Sequence, residues 1–453
     1  MSNPRGTHTK PGILRGHARP TIPAARRGTT IGRLGFSKLP RIIGLLLLAA
    51  FLGAGICGCY GRHELEQLSL VTILGVDKGT HRKLLATAAI ALPRKMRSGD
   101  TMGSGGTSTS FIVSVECDSL LDGLGRMTTM TSRRVTTAHT QVVILGEDLA
   151  KEDAGVILDV FSRNLEFRRN TLVAVCQGSA SEFIRNFSVP EETEPSDYLV
   201  KLIDSCHQEL GICPFTSVYD FLVAYGTGQI EPWTPYLSLT SPIESIGGQP
   251  EEADSGEGQQ ESKAGDTPDK IIELAGSAVF KKRGPKMQMV GTLDPIETMA
   301  ANILSGNFSR GFLSIVMPRA PQRMAALVFQ HCSVTRKTSI DGDRLNVTFK
   351  VRLTASMEET TAREIELSLG YHSEIVEQAE RTLESLLSSV FTKLTAMESD
   401  ILGLGMTIHG HFRTWPQWKE FDWPSKFRHT VATYDVKMFV FTSGYADSPP
   451  TPE

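Results

Sequence analysis

An α+β fold of more than one domain, with mixed and antiparallel sheets packed by helices, is what this 453-residue sequence predicts. Three patterns carry that expectation. Residues 343–355 (DRLNVTFKVRLTA) alternate apolar and polar side chains, with Leu345, Val347, Phe349, Val351 and Leu353 on one side, the mark of a half-buried strand. Residues 373–400 place Ile375, Ala379, Leu383, Leu386, Val390, Leu394 and Met397 three or four positions apart, which predicts a long amphipathic helix in a C-terminal domain. Residues 119–187 alternate helical and strand-like runs, which fits a mixed sheet covered by helices.

The N-terminus is not part of the fold. Residues 1–41 hold nine Lys/Arg and no Asp or Glu, and residues 42–61 (IIGLLLLAAFLGAGICGCYG) carry no charge. A basic region, a short apolar run and small residues before a cut describe a secretory signal, whose basic side stays cytoplasmic. The last step, Ile56-Cys57-Gly58-Cys59, resembles the lipobox of bacterial lipoproteins. That resemblance implies cleavage between Gly58 and Cys59, with a diacylglyceryl group on the Cys59 thiol; Cys57 leaves with the signal. An uncleaved membrane span is the competing reading, because a span needs roughly 20 apolar residues and this run just reaches that. The basic region is long for a signal, so a start codon nearer the apolar run stays open.

From Cys59 onward there are 38 Lys/Arg against 50 Asp/Glu, about −12 instead of the whole-chain −3. An acidic ectodomain argues against nucleic-acid binding, which needs a basic stripe, and against broad adhesion to anionic lipid. The membrane is reached through the lipid anchor, and two acyl chains suffice for that. Five cysteines remain: Cys117, Cys176, Cys206, Cys213 and Cys332. Odd and scattered, they make no disulfide framework. A Cys206 to Cys213 bridge is open; the others sit in apolar, strand-like contexts and read as small buried hydrophobes.

The expected domains are a signal over 1–58, an N-terminal domain over 59–196, a middle domain over 197–305 and a C-terminal domain over 306–445. Residues 65–92 read as two strands with a turn at 77–80. A Gly/Ser/Thr-rich loop (97–110) follows, and no GK[ST] accompanies its glycines to make a phosphate cradle. Then come a strand from Phe111, a helix from Ser119, a strand over 141–145, a helix over 147–159 carrying Leu149, Val156, Ile157 and Val160, and a strand over 171–176. Residues 247–270 hold seven acids, two lysines and almost nothing apolar, a solvated insertion without the spacing of an EF-hand. From Ile271 the pattern is strand, basic turn, strand and short helix. The final strand covers 433–442.

No catalytic pattern stands out: GxSxG, HExxH, SxxK and P-loop signatures are missing from the sequence. His409 and His411 would share a face on a strand and could bind a metal, but no third ligand is evident. His139 lies beside Arg133 and Arg134 without a nucleophile or carboxylate partner in view. The sequence therefore gives no case for an enzyme, a metal site or a cofactor.

A family resemblance gathers these pieces. SRRVTTAHTQVVILGEDLA, followed by EFRRNTLVAVCQG, resembles the N-terminal domain of the Ger(x)C family. The matching positions are Arg133, Arg134, Ala138, His139, Gly146, Glu147, Leu149, Ala150, Arg168, Arg169 and Asn170. Cys59, Glu64, Leu65, Gly75, Val76 and Asp77 match its opening, with Tyr60 where the family usually has Trp. Gly276, Ala278, Val279, Phe280, Gly291 and Leu293 match a later hairpin. Asp400, Gly403 and Gly405, and then Trp415 and the tryptophans after it, match D-x-x-G-x-G and an aromatic segment. The resemblance implies a non-enzymatic spore-germination lipoprotein, the C subunit of a nutrient germinant receptor. It would lie on the outer face of the inner spore membrane beside integral-membrane A and B subunits, one of them transporter-like. Arg133, Arg134, His139, Glu147, Arg168 and Arg169, together with Asp400, Gly403, Gly405 and Trp415, are then expected to form partner contacts or the structural motifs beneath them. The alternative is a solute-binding lipoprotein of an uptake system. Such proteins alternate strand and helix in two lobes, a pattern these antiparallel-looking strands fit poorly.

Overall fold

The computed structural model describes residues 43–49, 64–92, 110–186, 194–241, 270–341, 344–360 and 369–442. Gly58 and Cys59, the 97–109 stretch of the Gly/Ser loop and residues 247–269 of the acidic insertion lie outside the described residues. Residues 1–63 form one unit, of which 43–49 are helical and exposed. No described helix is long and apolar enough to cross a membrane. The second unit, residues 64–453, carries the fold.

Its first sheet has nine strands: β1 (Leu68–Lys78), β2 (Leu84–Ala91), β3 (Ser110–Cys117), β4 (Arg134–Thr136), β5 (Val142–Gly146), β6 (Leu172–Cys176), β7 (Trp233–Thr240), β8 (Ile271–Arg283) and β9 (Lys286–Leu293). They lie in the order β3-β2-β1-β5-β6-β7-β8-β9, and β4 pairs with the start of β1. β1, β5, β6 and β7 run parallel, and the outer pairs are antiparallel. Every residue of β5 (VVILG) and β6 (LVAVC) is buried, as parallel strands covered on both faces must be. One face packs against α1 (Leu120–Thr128), α2 (Glu147–Asp153), α3 (Leu158–Arg163) and α6 (Val218–Thr227) through Leu124, Leu149, Phe161 and Phe221. The other packs against α4 (Ala180–Asn186) and α5 (Pro195–Ser205) through Phe183, Ile184, Leu199 and Ile203.

The second sheet has four strands, β10 (Gly311–Met317), β11 (Ala320–Asp341), β12 (Arg344–Thr360) and β13 (Val431–Thr442), in that order. β12 and β13 are parallel, the rest antiparallel. The alternation in 343–355 is realised: Leu345, Val347, Phe349, Val351 and Leu353 are all buried. They face α8 (Leu369–Met397) and α7 (Pro295–Ser305). A helix of 29 residues is about 44 Å long, enough to lie along the long β11–β12 ribbon.

Several expectations change. The long helix runs 369–397, not 373–400, because Glu398 takes a positive φ of 54° and turns the chain out of the helix. Leu387, not Leu386, completes its fully buried stripe. The helix expected over 147–159 breaks after α2 into a 3₁₀ turn (Ala154–Ile157). The cause is Asp153, whose carboxylate accepts from Gly155 N at 2.8 Å and from Met287 N at 3.0 Å; Val156 is left exposed. Asp77 belongs to β1 and not to the following turn. The 197–305 segment is no separate sheet: β7, β8 and β9 extend the first one, and α7 enters the core of the second. Cys206 and Cys213 are both free thiols, and the Cys213 thiol donates to Ile203 O at 3.3 Å. Cys117 and Cys176 are buried as expected, whereas Cys332 is half-buried.

Candidate functional site

The family-like positions fall into three places. The first is the carboxyl end of the parallel strands. Asp77, on β1, is buried and accepts from Ala180 N (2.7 Å), Ser181 N (2.8 Å) and Ser179 Oγ (3.1 Å), so it caps α4 from a distant strand. Burial raises its pKa against the pull of those donors. Gly146 must be glycine here, since a Cβ would sit 2.0 Å from Asp77 Oδ1. Glu147 opens α2, pairs with Lys151 at 2.6 Å, and is tied to the next turn by Glu147 N donating to Gly178 O at 2.9 Å. The paired G-x-D and G-E signatures are thus one knot that locks β1, β5 and β6 to α4. Asp77→Ala would leave two helix N–H groups without acceptors and is expected to cost about 2–3 kcal/mol. Urea unfolding would read this, and an unchanged midpoint would remove the knot from the account.

The opposite ends of β5 and β6 hold the basic residues. His139 lies in the turn before β5, and Arg168 and Arg169 lie in the turn before β6. Arg134 pairs with Glu166 at 2.8 Å, and Thr136 Oγ1 donates to the same carboxylate at 3.2 Å. The two turns are tied by Thr171 Oγ1 donating to Thr140 O at 2.9 Å. Arg134, His139, Arg168 and Arg169 are exposed and Arg133 is half-buried. The structure thus gathers these five at one end and puts Glu147 at the other end of β5. A surface pair such as Arg134–Glu166 adds little stability.

The third place joins the two sheets. The Asp400 carboxylate is buried and accepts from Leu404 N (3.1 Å), Gly405 N (2.7 Å) and Trp423 Nε1 (3.0 Å). Its backbone carbonyl accepts from Glu231 N at 2.9 Å, and Ser399 Oγ donates to Phe280 O at 2.5 Å. From the second sheet, Arg336 Nη1 donates to Leu402 O at 2.5 Å. Gly403 adopts φ +69° at the start of α9 (Leu404–His409). At Gly405 a Cβ would lie 2.4 Å from Gln229 O and 2.5 Å from Trp423 Nε1. Desolvation raises Asp400 to about 6 and Glu231 to about 7. Glu231 and Arg336 carry no sequence signal; only the fold brings them here.

Trp415, the first residue of α10 (Trp415–Phe421), is part-exposed, whereas Trp418 and Trp423 are buried. His409 ends α9, its ring 5.8 Å from Trp415 and 5.2 Å from Trp418, and His411 follows in a turn; the two do not sit on a strand. Among the described residues, no three His, Cys, Asp or Glu side chains group as metal ligands.

Two family models cover the chain. Residues 61–239 match one described as spore germination protein N-terminal domain, and residues 275–444 match one described as spore germination B3/GerAC like, C-terminal. The chain belongs to the GerAC family of spore germination proteins. Residues 247–269, most of the acidic insertion, fall between the two matched regions. Spore germination protein KC of Bacillus subtilis (strain 168) is 23% identical over 368 residues, 80% of this chain and 86% of the relative. The putative spore germination protein YfkR of the same organism is 23% identical over 77% of this chain and 83% of its own length. Spore germination protein B3, also from that strain, is 26% identical over 34% of this chain and 40% of its own. The crystal structure of the GerBC protein aligns with this GerAC-family chain at a TM-score of 0.49 and 16% identity, covering 81% of this chain and 96% of the other.

Proposed function

We propose that this chain is the lipid-anchored C subunit of a nutrient germinant receptor, acting by assembly and signal coupling and not by chemistry. The observation that carries the reading is the pair of family matches, which together take in both sheets. Relatives named spore germination proteins KC, B3 and A3 support it. In this reading, Cys59 takes the diacylglyceryl group after cleavage behind Gly58. The ectodomain stands on the outer face of the inner spore membrane and holds two integral-membrane subunits. The exposed arginines at the start of β5 and β6, together with Trp415, offer contacts, while Asp400, Gly403, Gly405 and Glu147 hold the frame those contacts need. Exposed Arg and Trp are the residue types that interfaces favour.

Intact mass of the protein from sporulating-cell membranes tests the anchor. The wild type is expected to begin at Cys59 with a diacylglyceryl mass, and a Cys59→Ala variant to keep its N-terminal segment. A wild-type protein that retains residues 1–58 would contradict the anchor.

A further inference from the structure

A wide cleft of the described fold lies apart from all three of those places. It is a cleft of about 1110 Å³ between the β1–β2 turn, the start of α1, the 3₁₀ turn with α3, and the β8–β9 turn. Its floor is apolar and buried: Leu84, Leu120 and Leu149. Its walls mix charged side chains with three exposed apolar ones. Leu165 is 99% exposed, Leu121 61% and Val156 42%. Leu165 has no packing partner to hold it in this fold, and with Leu121 and Val156 it makes three exposed apolar side chains lining one cleft, which marks a contact surface. Small-ligand pockets run to about 300–1,000 Å³ and bury most of the ligand, whereas here the apolar groups stand on the rim.

Charge narrows the occupant. Three rim cations are already engaged: Lys78 by Glu152 at 2.8 Å, Arg82 by Asp118 at 2.6 Å and Arg163 by Asp159 at 2.7 Å. The Asp153 carboxylate is used by Gly155 N and Met287 N. Lys83 and Lys286 line the same cleft, and neither has an ion pair among the described residues. Asp153 keeps its charge, since its donors are neutral N–H groups, so the lining sets Lys83 and Lys286, on two sides of the trough, against one unpaired carboxylate and carries a net excess of positive charge.

We propose that this cleft is a docking site for an acidic amphipathic helix of one of the receptor's other subunits. Apolar side chains three or four positions apart would cover Leu121, Val156 and Leu165, and flanking carboxylates would meet Lys83 and Lys286. The proposal rests on the receptor-subunit reading above.

The test replaces Leu165 with the photo-cross-linker p-benzoylphenylalanine in the full-length chain, co-expressed with the receptor's membrane subunits. Leu165 is free of packing, so folding is untouched. The expected product is a cross-link from position 165 to a receptor-subunit peptide carrying Asp/Glu beside helically spaced apolar residues. Its yield is expected to fall roughly tenfold in Lys83→Glu/Lys286→Glu, with the unfolding temperature unchanged. A cross-linked peptide without acids, a cross-link to a second copy of this chain, or a yield indifferent to the charge reversal would overturn the proposal. If the membrane subunits co-purify but no cross-link forms at 165 or 121, the cleft assignment fails and the receptor reading stands. If they do not co-purify with the wild type at all, the receptor reading itself fails, and the docking proposal with it.

Discussion

Asp400→Ala is expected to destabilise the protein by about 3–5 kcal/mol at pH 5, lowering the unfolding temperature by roughly 5–10 °C. Three donors, Leu404 N, Gly405 N and Trp423 Nε1, converge on this carboxylate away from water. Each buried donor left without an acceptor costs about 1–3 kcal/mol. The loss should shrink at higher pH. The fold raises Asp400 from 3.8 to about 6, a difference worth about 3 kcal/mol by which the wild type is itself weakened once the group is ionised. Gly405→Ala should act in the same direction by a different route, since its Cβ would meet Gln229 O and the Trp423 indole. Calorimetry of wild type and both variants at pH 5 and pH 8 reads these effects. Equal unfolding temperatures at pH 5 would show that the two sheets are not held together at this point.

Glu231→Gln should stabilise the protein at alkaline pH. Burial, with the nearby Asp400 charge adding to it, raises Glu231 from 4.5 to about 7. A carboxyl raised in the folded state holds its proton more tightly there than in the unfolded chain. Its contribution is therefore fully present below about pH 4.5, is lost as pH rises to about 7, and stays lost above that. Glutamine keeps an acceptor for Lys282 N, now at 3.1 Å from Oε2, and cannot ionise. A gain of about 1–3 kcal/mol at pH 8 is expected, with no gain at pH 4.5. Urea midpoints measured across that range test it, and a parallel displacement of the two curves at all pH values would contradict the assignment.

How far the sequence was legible depended on whether a pattern was local. The alternation in 343–355 and the apolar spacing of α8 are single-element properties, and both became core faces. The apolar runs of β5 and β6 are equally local. What could not be read locally was decided by side chains reaching across the chain. Asp153 bonds Met287 N and so breaks a helix that periodicity alone would continue. Asp77 caps α4 about a hundred residues downstream, which turns an apparent turn residue into a strand residue with a structural task. The pairing of β7 with β6 across the expected 196/197 boundary was not legible, because a parallel pairing leaves no signature in the connecting segment. The residues singled out in the sequence carried no sign of how they divide between core and surface. Asp400, Gly403 and Gly405 proved to be buried, whereas Arg134, His139, Arg168 and Arg169 remained at the surface. The cleft under Leu165 was invisible, because its walls come from four separate stretches of chain.

The most direct test of the receptor reading is nutrient-triggered germination of spores lacking this chain, followed as loss of optical density, beside the same spores complemented with the wild-type gene. The account expects the deletion to abolish the response to the cognate nutrients and complementation to restore it. Normal germination of the deletion spores with every nutrient that triggers the parent strain would contradict it.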